Sequence, residues 1–597
     1  MQSLDCLNWN WSSLLTAFDW TLVVLLNGAI IVYGLFLGRE TKSASDWFLA
    51  GRRLPWWIVG LSLYATAIDS SDLVADSGGT YNLGLSYFVT NWVGTVVGWV
   101  VAAHFIVLPM YNAGMYTNAE YLEARFGPTT RLISALVQVQ YRTLVLGIIA
   151  TTIYLTVSIV FDWKEGAWWV VASIAVLATI YTAWGGLRSV AVTDALQSVV
   201  MLIASVVLFV LVWSAVGGWS GIKEKLAKHD PDLPAQMLHV GHERIETEGV
   251  ENLSPKEVAN RLLLGGEHRE KEGVIKNRTP AWLFCIQFLI AGMAYSVVNH
   301  TQSMRLLGSR SKWDLKMSVV VAGSIMLAVT FFNLMMGVMG RALYPELHLL
   351  PVDDSLKTTA DVIYPILVRD FTGVGLKGLV VAGVLAAAFS TYDSIGSTLS
   401  SLLTRDVYAR FLVRDRDDRH YLWVGQWLTP MIIGVSFLYV PFLLEAGMLM
   451  FYLNLVSAFV VPLLTVYLMG AFTRVHRKAG TVGLLCGVLY GAWRLLAPWA
   501  AEHFGIAVLP IAMINESAST VFSMLITSGA MIIVSLRNGW EPRGELRFEE
   551  GGGWLRDSQQ EAAQLAPLRE PTMRFLPAIL GGLVIAIGVV LSFVVFW

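Results

Sequence analysis

Long apolar runs separated by short polar connections dominate the chain. Fourteen of them reach the roughly 18 residues that a helix needs to cross a bilayer: about 15–37, 54–82, 84–110, 129–160, 166–184, 190–217, 281–306, 315–343, 373–403, 421–441, 447–471, 480–499, 514–536 and 574–596. Strict two-residue alternation is missing from these runs, so their backbone groups pair within helices rather than between barrel strands. The pattern predicts an all-α polytopic membrane protein with about 14 transmembrane helices. The first run follows Asp5 and contains Asp19 where a secretory signal would carry basic residues, so it reads as an uncleaved span.

Composition sharpens this picture. Only 14% of the 597 residues are charged, against about 25% in a typical soluble protein. Segments 221–280, 401–420 and 541–570 hold 41 of the 86 charges, which leaves the remainder too apolar for a water-soluble fold. Lys and Arg number 42 against 44 Asp and Glu, so no basic excess points to nucleic acid. Cys6, Cys285 and Cys486 lie far apart and suggest neither a disulfide framework nor a thiolate metal site.

Orientation follows from the basic residues in the short loops. With an external N-terminus, the inner segments carry 25 Lys and Arg, Arg305 and Lys42 among them, and the outer ones six, Lys357 among them. The long segment 218–280 holds ten more and is discounted, because long loops cross regardless of charge. Both termini are therefore expected outside a plasma (inner) membrane. Ser254-Pro255-Lys256-Glu257 reads as a capping box with proline at the first helical position, which predicts a short surface helix in the outer loop.

Some polar residues are costly at these depths. An Asp at the bilayer centre costs about 2.5 to 3.5 kcal/mol on insertion scales, yet the second run contains Asp69, Asp72 and Asp76. Their spacing of three and four would put them on one helical face, lining a polar cavity or meeting a cation. The competing reading has Asp76 near the outer surface and one Asp paired with Arg142 of the fourth run. In the ninth run Ser390 and Thr391 lie three and four residues beyond Ala387, so both hydroxyls sit over that carbonyl. Three oxygens there suit a hard monovalent cation, although membrane Ser and Thr also bond their own backbone. Asp194 is buried near the inner end of the sixth run with Gln197 on its face, either as a cation ligand or snorkelling toward water.

Ile180-Tyr181-Thr182-Ala183-Trp184-Gly185-Gly186-Leu187-Arg188-Ser189, followed by Thr193-Asp194-Ala195-Leu196-Gln197, resembles the inner-loop signature of the sodium/solute symporter family. Tyr116 to Gly127, Ser390-Thr391 and Thr404 to Tyr408 support the resemblance, which covers about residues 45–475. It implies a LeuT-type five-plus-five inverted repeat: residues 1–53 as an extra helix and inner loop, 54–217 and 281–471 as repeats, 218–280 as an extracellular loop, and 472–597 as flanking helices. The main sodium site then falls on the carbonyls of Ala65, Ile68 and Ala387 and the hydroxyls of Ser390 and Thr391. Asp194, Ser390 and Ser394 become candidates for a second sodium, with Asp393 a departure from the hydroxyl often found there. Asp69, Asp72, Asn91, Gly292 and Tyr295 fall at substrate or gate positions, and Arg142 at that of a carboxylate-binding Arg in sialic acid transporters.

The function so implied is sodium-coupled secondary active symport, importing a small polar organic solute by alternating access. A sugar or polyol fits, as does an amino-acid-like zwitterion held between Arg142 and Asp69 or Asp72. Sodium is the coupling ion and no other cofactor is expected. No His-Glu-x-x-His pair or phosphate-binding Gly-Lys-Ser/Thr loop suggests an enzyme. A solute sensor or an uncoupled ion leak on the same scaffold is the alternative.

Overall fold

The computed structural model describes residues 17–39, 43–249, 253–263, 267–269, 273–347, 360–440, 443, 448–504, 509, 511–548, 553–565 and 573–597. Asp5, Cys6, Lys42 and Lys357 lie outside these residues. Thirteen helices among them are long and apolar enough to cross a membrane, and a bent pair supplies a fourteenth crossing. Their outward faces carry large apolar side chains such as Phe18, Trp169 and Val594. This is what a lipid-facing surface requires, because lipid tails are as apolar as these side chains.

The bent pair is the second span, Trp56–Ala67 and Ser70–Phe88, which meet at 50°. The sequence causes the break. Ile68 is extended (φ −113°, ψ 95°), and Asp69 caps the next helix by accepting from the amides of Ser71 (2.7 Å) and Asp72 (3.3 Å). Asp72 returns the contact by accepting from the Asp69 amide at 2.7 Å, which completes a capping box. Asp69 is thus the cap of a second half-helix rather than part of a single acidic face, because its carboxylate competes with the helical backbone for donors. The seventh span breaks in the corresponding place: Ala281–Val298 and His300–Leu307 are separated by Asn299, whose side chain caps Thr301 at 3.0 Å. The second and seventh spans are therefore both interrupted, an arrangement that frees backbone groups within a span.

The fifth and sixth spans, Lys164–Ala183 and Gly185–Val216, turn at Gly186. Its φ of 61° favours glycine, and a Cβ there would lie 2.8 Å from Trp47 Cα. The ninth span starts as the regular helix Leu376–Leu402, which is buried along nearly its whole length. It continues to Leu412 with π-helical geometry, past the end expected from hydropathy.

The loop after the sixth span holds more than one helix. Pro255–Leu263 does carry the expected capping box, with Ser254 N–H donating to Glu257 at 2.7 Å. Helices Gly218–His229 and Leu233–Leu238 precede it. A three-stranded antiparallel sheet is also present, with Val274–Thr279 between Arg244–Gly249 and Glu267–Arg269. Its register pairs Arg244 with Thr279 and Glu267 with Lys276. These strands are too short and polar to show against the apolar background.

Candidate functional site

The break in the second span meets the ninth span near the middle of the helix Leu376–Leu402. Ser390 Oγ lies 3.0 Å from the Ala65 carbonyl and 2.9 Å from that of Ala387, and Thr391 Oγ1 lies 3.2 Å from the latter. Ala65, Ala387, Ser390 and Thr391 are fully buried, and Ile68 stands at the break itself. Ala65 thus meets Ala387, Ser390 and Thr391 across more than 300 positions of chain. All of the oxygens are neutral carbonyls and hydroxyls. Such a set fits a hard monovalent cation better than a transition metal, which would want nitrogen or sulfur. Among the described residues no group of three or more His, Cys, Asp or Glu could hold a metal ion.

Asp194 lies in a neighbouring cluster whose main partner the sequence did not reveal. Its Oδ2 accepts from Ser62 Oγ at 2.6 Å and from Arg305 Nη2 at 2.7 Å. Arg305 also donates to Ser62 Oγ (2.7 Å), to the Thr301 carbonyl (2.8 Å) and to Ser394 Oγ. Ser394 bonds Asp393 at 2.9 Å, and Tyr181 donates to the other oxygen of Asp393. Asp194 and Arg305 are wholly buried, so Asp194 does not snorkel and Arg305 is no loop charge. The signal for Arg305 was its place at the end of an apolar run, where a basic residue is ordinarily read as a membrane anchor.

On the other side of the break a cavity of about 60 Å³ is lined by Asp69, Asp72, Asn91, Arg142 and Tyr295, together with Asp76. Gly292 stands apart from this set. A Cβ at Gly292 would lie 2.2 Å from the Thr90 carbonyl, so the glycine lets the seventh span touch the third. Asp76 is buried rather than near the surface, and accepts from Tyr87 OH at 2.9 Å. Arg142 forms no ion pair among the described residues. Its Nε and Nη2 are buried without hydrogen-bond partners, so the internal Arg–Asp pair is not formed. Tyr295 donates to the Thr66 carbonyl at 2.7 Å, covering a backbone group that the helix break frees. Tyr452, which neither motif nor spacing indicated, also lines the cavity, and its hydroxyl meets that of Tyr141 at 2.7 Å.

The motif around Glu120 and the motif after Thr404 close one face of the protein. Arg405 meets Glu120 at 2.8 Å, while Arg131 meets Asp406 at 2.5 Å and Glu123 at 2.5 Å. Glu120, Arg131, Arg405 and Asp406 are all buried. Buried charges are tolerated when they pair, and here each is paired although Arg405 Nη1 and Asp406 Oδ2 have no hydrogen-bond partner among the described residues. Here they fix the end of the ninth span against the helix Asn118–Phe126.

Residues 47–491 match the model of the Sodium:solute symporter family. Sodium/glucose cotransporter 4 of Danio rerio is 25% identical over 92% of this chain and 83% of its own length. Sodium/myo-inositol cotransporter of Homo sapiens is 27% identical over 82% of this chain and 68% of its own. Among solved structures, a substrate-bound, outward-open Na⁺-coupled sialic acid symporter superposes with a TM-score of 0.69 at 18% identity, covering 87% of this chain and 98% of that one. The chain has the five-plus-five inverted-repeat fold of that transporter. It belongs to the sodium:solute symporter family.

Proposed function

We propose that this family member imports a small polar organic solute by sodium-coupled alternating access. The observation that carries the reading is the approach of Ser390 Oγ to the Ala65 carbonyl at 3.0 Å, beside a buried polar cavity that opens on the same helix break. A cation drawn to the carbonyls of Ala65, Ile68 and Ala387 and to the Ser390 and Thr391 hydroxyls ties the two half-helices to the ninth span. That favours the state in which the solute cavity faces outward. Each sodium ion contributes about 2.3 kcal/mol per 100 mV of membrane potential, in addition to its concentration gradient.

Asp69, Asp72, Asn91, Arg142 and Tyr295 form the solute site of this proposal, with Gly292 shaping it from behind. A sugar or polyol is supported by relatives named as glucose and myo-inositol cotransporters. A zwitterion is the second reading, favoured by the two open donors of Arg142 opposite the acidic residues of the cavity. A second sodium at Asp194 and Ser394 would have to displace Arg305 from both. The membrane is read as a plasma membrane, with both termini outside.

Uptake into proteoliposomes of radiolabelled hexoses, inositols and amino acids, with and without an inward sodium gradient, tests the proposal. Accumulation of one class above equilibrium only with the gradient is expected. Sodium entry that no solute accelerates would instead identify an uncoupled leak.

A further inference from the structure

A second cavity, of about 350 Å³, opens beside the Glu120–Arg405 network, on the face that the loop charges identify as inner. Six arginines line it against three carboxylates. The carboxylates are largely committed: Glu120 holds Arg405 at 2.8 Å, and Glu123 holds Arg131 at 2.5 Å and Arg410 at 2.8 Å. Arg547 has its own partner in Glu545 at 3.2 Å. Arg414, Arg477 and Arg556 form no ion pair among the described residues, and only Asp415 is left on the acidic side.

An excess of Lys and Arg on the inner face explains the number of arginines but not their convergence on one hollow. The three without a carboxylate partner among the described residues, Arg414, Arg477 and Arg556, arrive from separate stretches of chain: after the ninth span, before the twelfth, and from the helix Trp554–Gln564. Guanidinium groups brought together without carboxylates repel one another, a cost that a bound polyanion removes. Arg556 is held over the Phe548 ring at 4.9 Å, a contact that restrains its side chain at the cavity.

We propose that this cavity binds a phosphate-bearing anion through Arg414, Arg477 and Arg556. Arginine's planar fork suits phosphate oxygens, which accept two parallel hydrogen bonds from one side chain. The ligand acts on transport through the helix Trp554–Gln564. That helix already bridges the inner network: Gln559 donates to Glu120 at 2.8 Å, Arg405 donates to Ser558 at 3.1 Å, and Trp554 stacks on Tyr421 at 4.0 Å. An anion that joins Arg556 to Arg414 and Arg477 fastens the helix across elements that must separate for the inner side to open. Occupancy therefore slows turnover. The phosphate comes either from a soluble anion or from the headgroup of an anionic lipid, and both present the same oxygens.

The test is thermal stability of the full chain in nanodiscs. In phosphatidylcholine discs, pyrophosphate is titrated against sodium chloride at matched ionic strength. In a second arm, phosphatidylglycerol discs are compared with phosphatidylcholine discs. A saturable pyrophosphate response, weakened at least tenfold in the Arg477→Gln/Arg556→Gln variant, supports a soluble ligand. A phosphatidylglycerol stabilisation lost in the same variant supports a headgroup. The proposal is overturned if the unmodified protein shows neither a saturable pyrophosphate response nor a lipid preference. It is equally overturned if the variant behaves like the unmodified protein in both arms. The first of these outcomes needs no variant, so a folding failure of the double substitution leaves the proposal open to refutation.

Discussion

Arg305 and Asp194 face each other at 2.7 Å with both side chains sealed from solvent. The contact joins the half-helix that ends the seventh span to the sixth span. Removing one member of a buried pair strands the other charge, at a cost of about 3 to 5 kcal/mol. Arg305→Met is therefore expected to destabilise the protein by about that amount. Adding Asp194→Asn should recover most of the loss, because a neutral amide then replaces the stranded carboxylate. Denaturant unfolding of the single and double variants in detergent checks this, and a near-zero cost for Arg305→Met would refute it.

The capping box at the helix break separates two roles of Asp69. Asp69→Ala removes an N-cap and should cost about 1 kcal/mol, whereas Asp69→Ser keeps a capping oxygen and should cost only a few tenths. If the carboxylate also touches solute, Asp69→Ser will raise KM severalfold while thermal stability stays close to that of the unmodified protein. Uptake kinetics and melting curves on the two variants distinguish these effects.

Arg142 gives a test of solute class. Its Nε and Nη2 face the cavity without partners, and lysine keeps the charge but loses the fork. For a carboxylate-bearing solute, Arg142→Lys should weaken apparent affinity at least tenfold, about 1.4 kcal/mol. For a neutral polyol the change should stay within about threefold, or about 0.6 kcal/mol. Competition assays with both classes on the same variant read the difference.

Arg131 bridges three carboxylates of the Glu120–Arg405 network, with Glu120 the most distant at 3.6 Å. Arg131→Gln leaves like charges facing one another, which favours separation of the end of the ninth span from the helix Asn118–Phe126. External sodium should then bind with about tenfold lower apparent affinity, about 1.4 kcal/mol. Sodium activation of uptake measures the shift.

The sequence carried the span pattern, since apolar runs mark helices in lipid without needing tertiary information. The convergence of Ala387, Ser390 and Thr391 within one turn was also legible, although the spacing alone left it open whether the hydroxyls serve a cation or their own backbone. Residues whose role depends on a distant partner were not. Arg305 read as a loop charge because nothing local reports Asp194, more than 100 residues away in the chain. Asp69, Asp72 and Asp76 read as one face because the helical period was carried through a break that only the reciprocal caps of Asp69 and Asp72 create. Arg142 read either as a solute-binding Arg or as a partner for an Asp, and no carboxylate is paired with it among the described residues. The small sheet in the loop after the sixth span escaped for another reason. Its strands lie within a polar segment and are too short for an apolar alternation that hydropathy could register.

The central claim is that Ala65, Ile68, Ala387, Ser390 and Thr391 hold the coupling sodium ion. It is tested most directly by equilibrium binding of radiolabelled sodium to purified protein, which requires no knowledge of the solute. The unmodified protein should bind sodium saturably. Ser390→Ala and Thr391→Ala should each weaken that binding at least tenfold while eluting as folded protein on size exclusion. Binding that is unchanged in both variants would contradict the account.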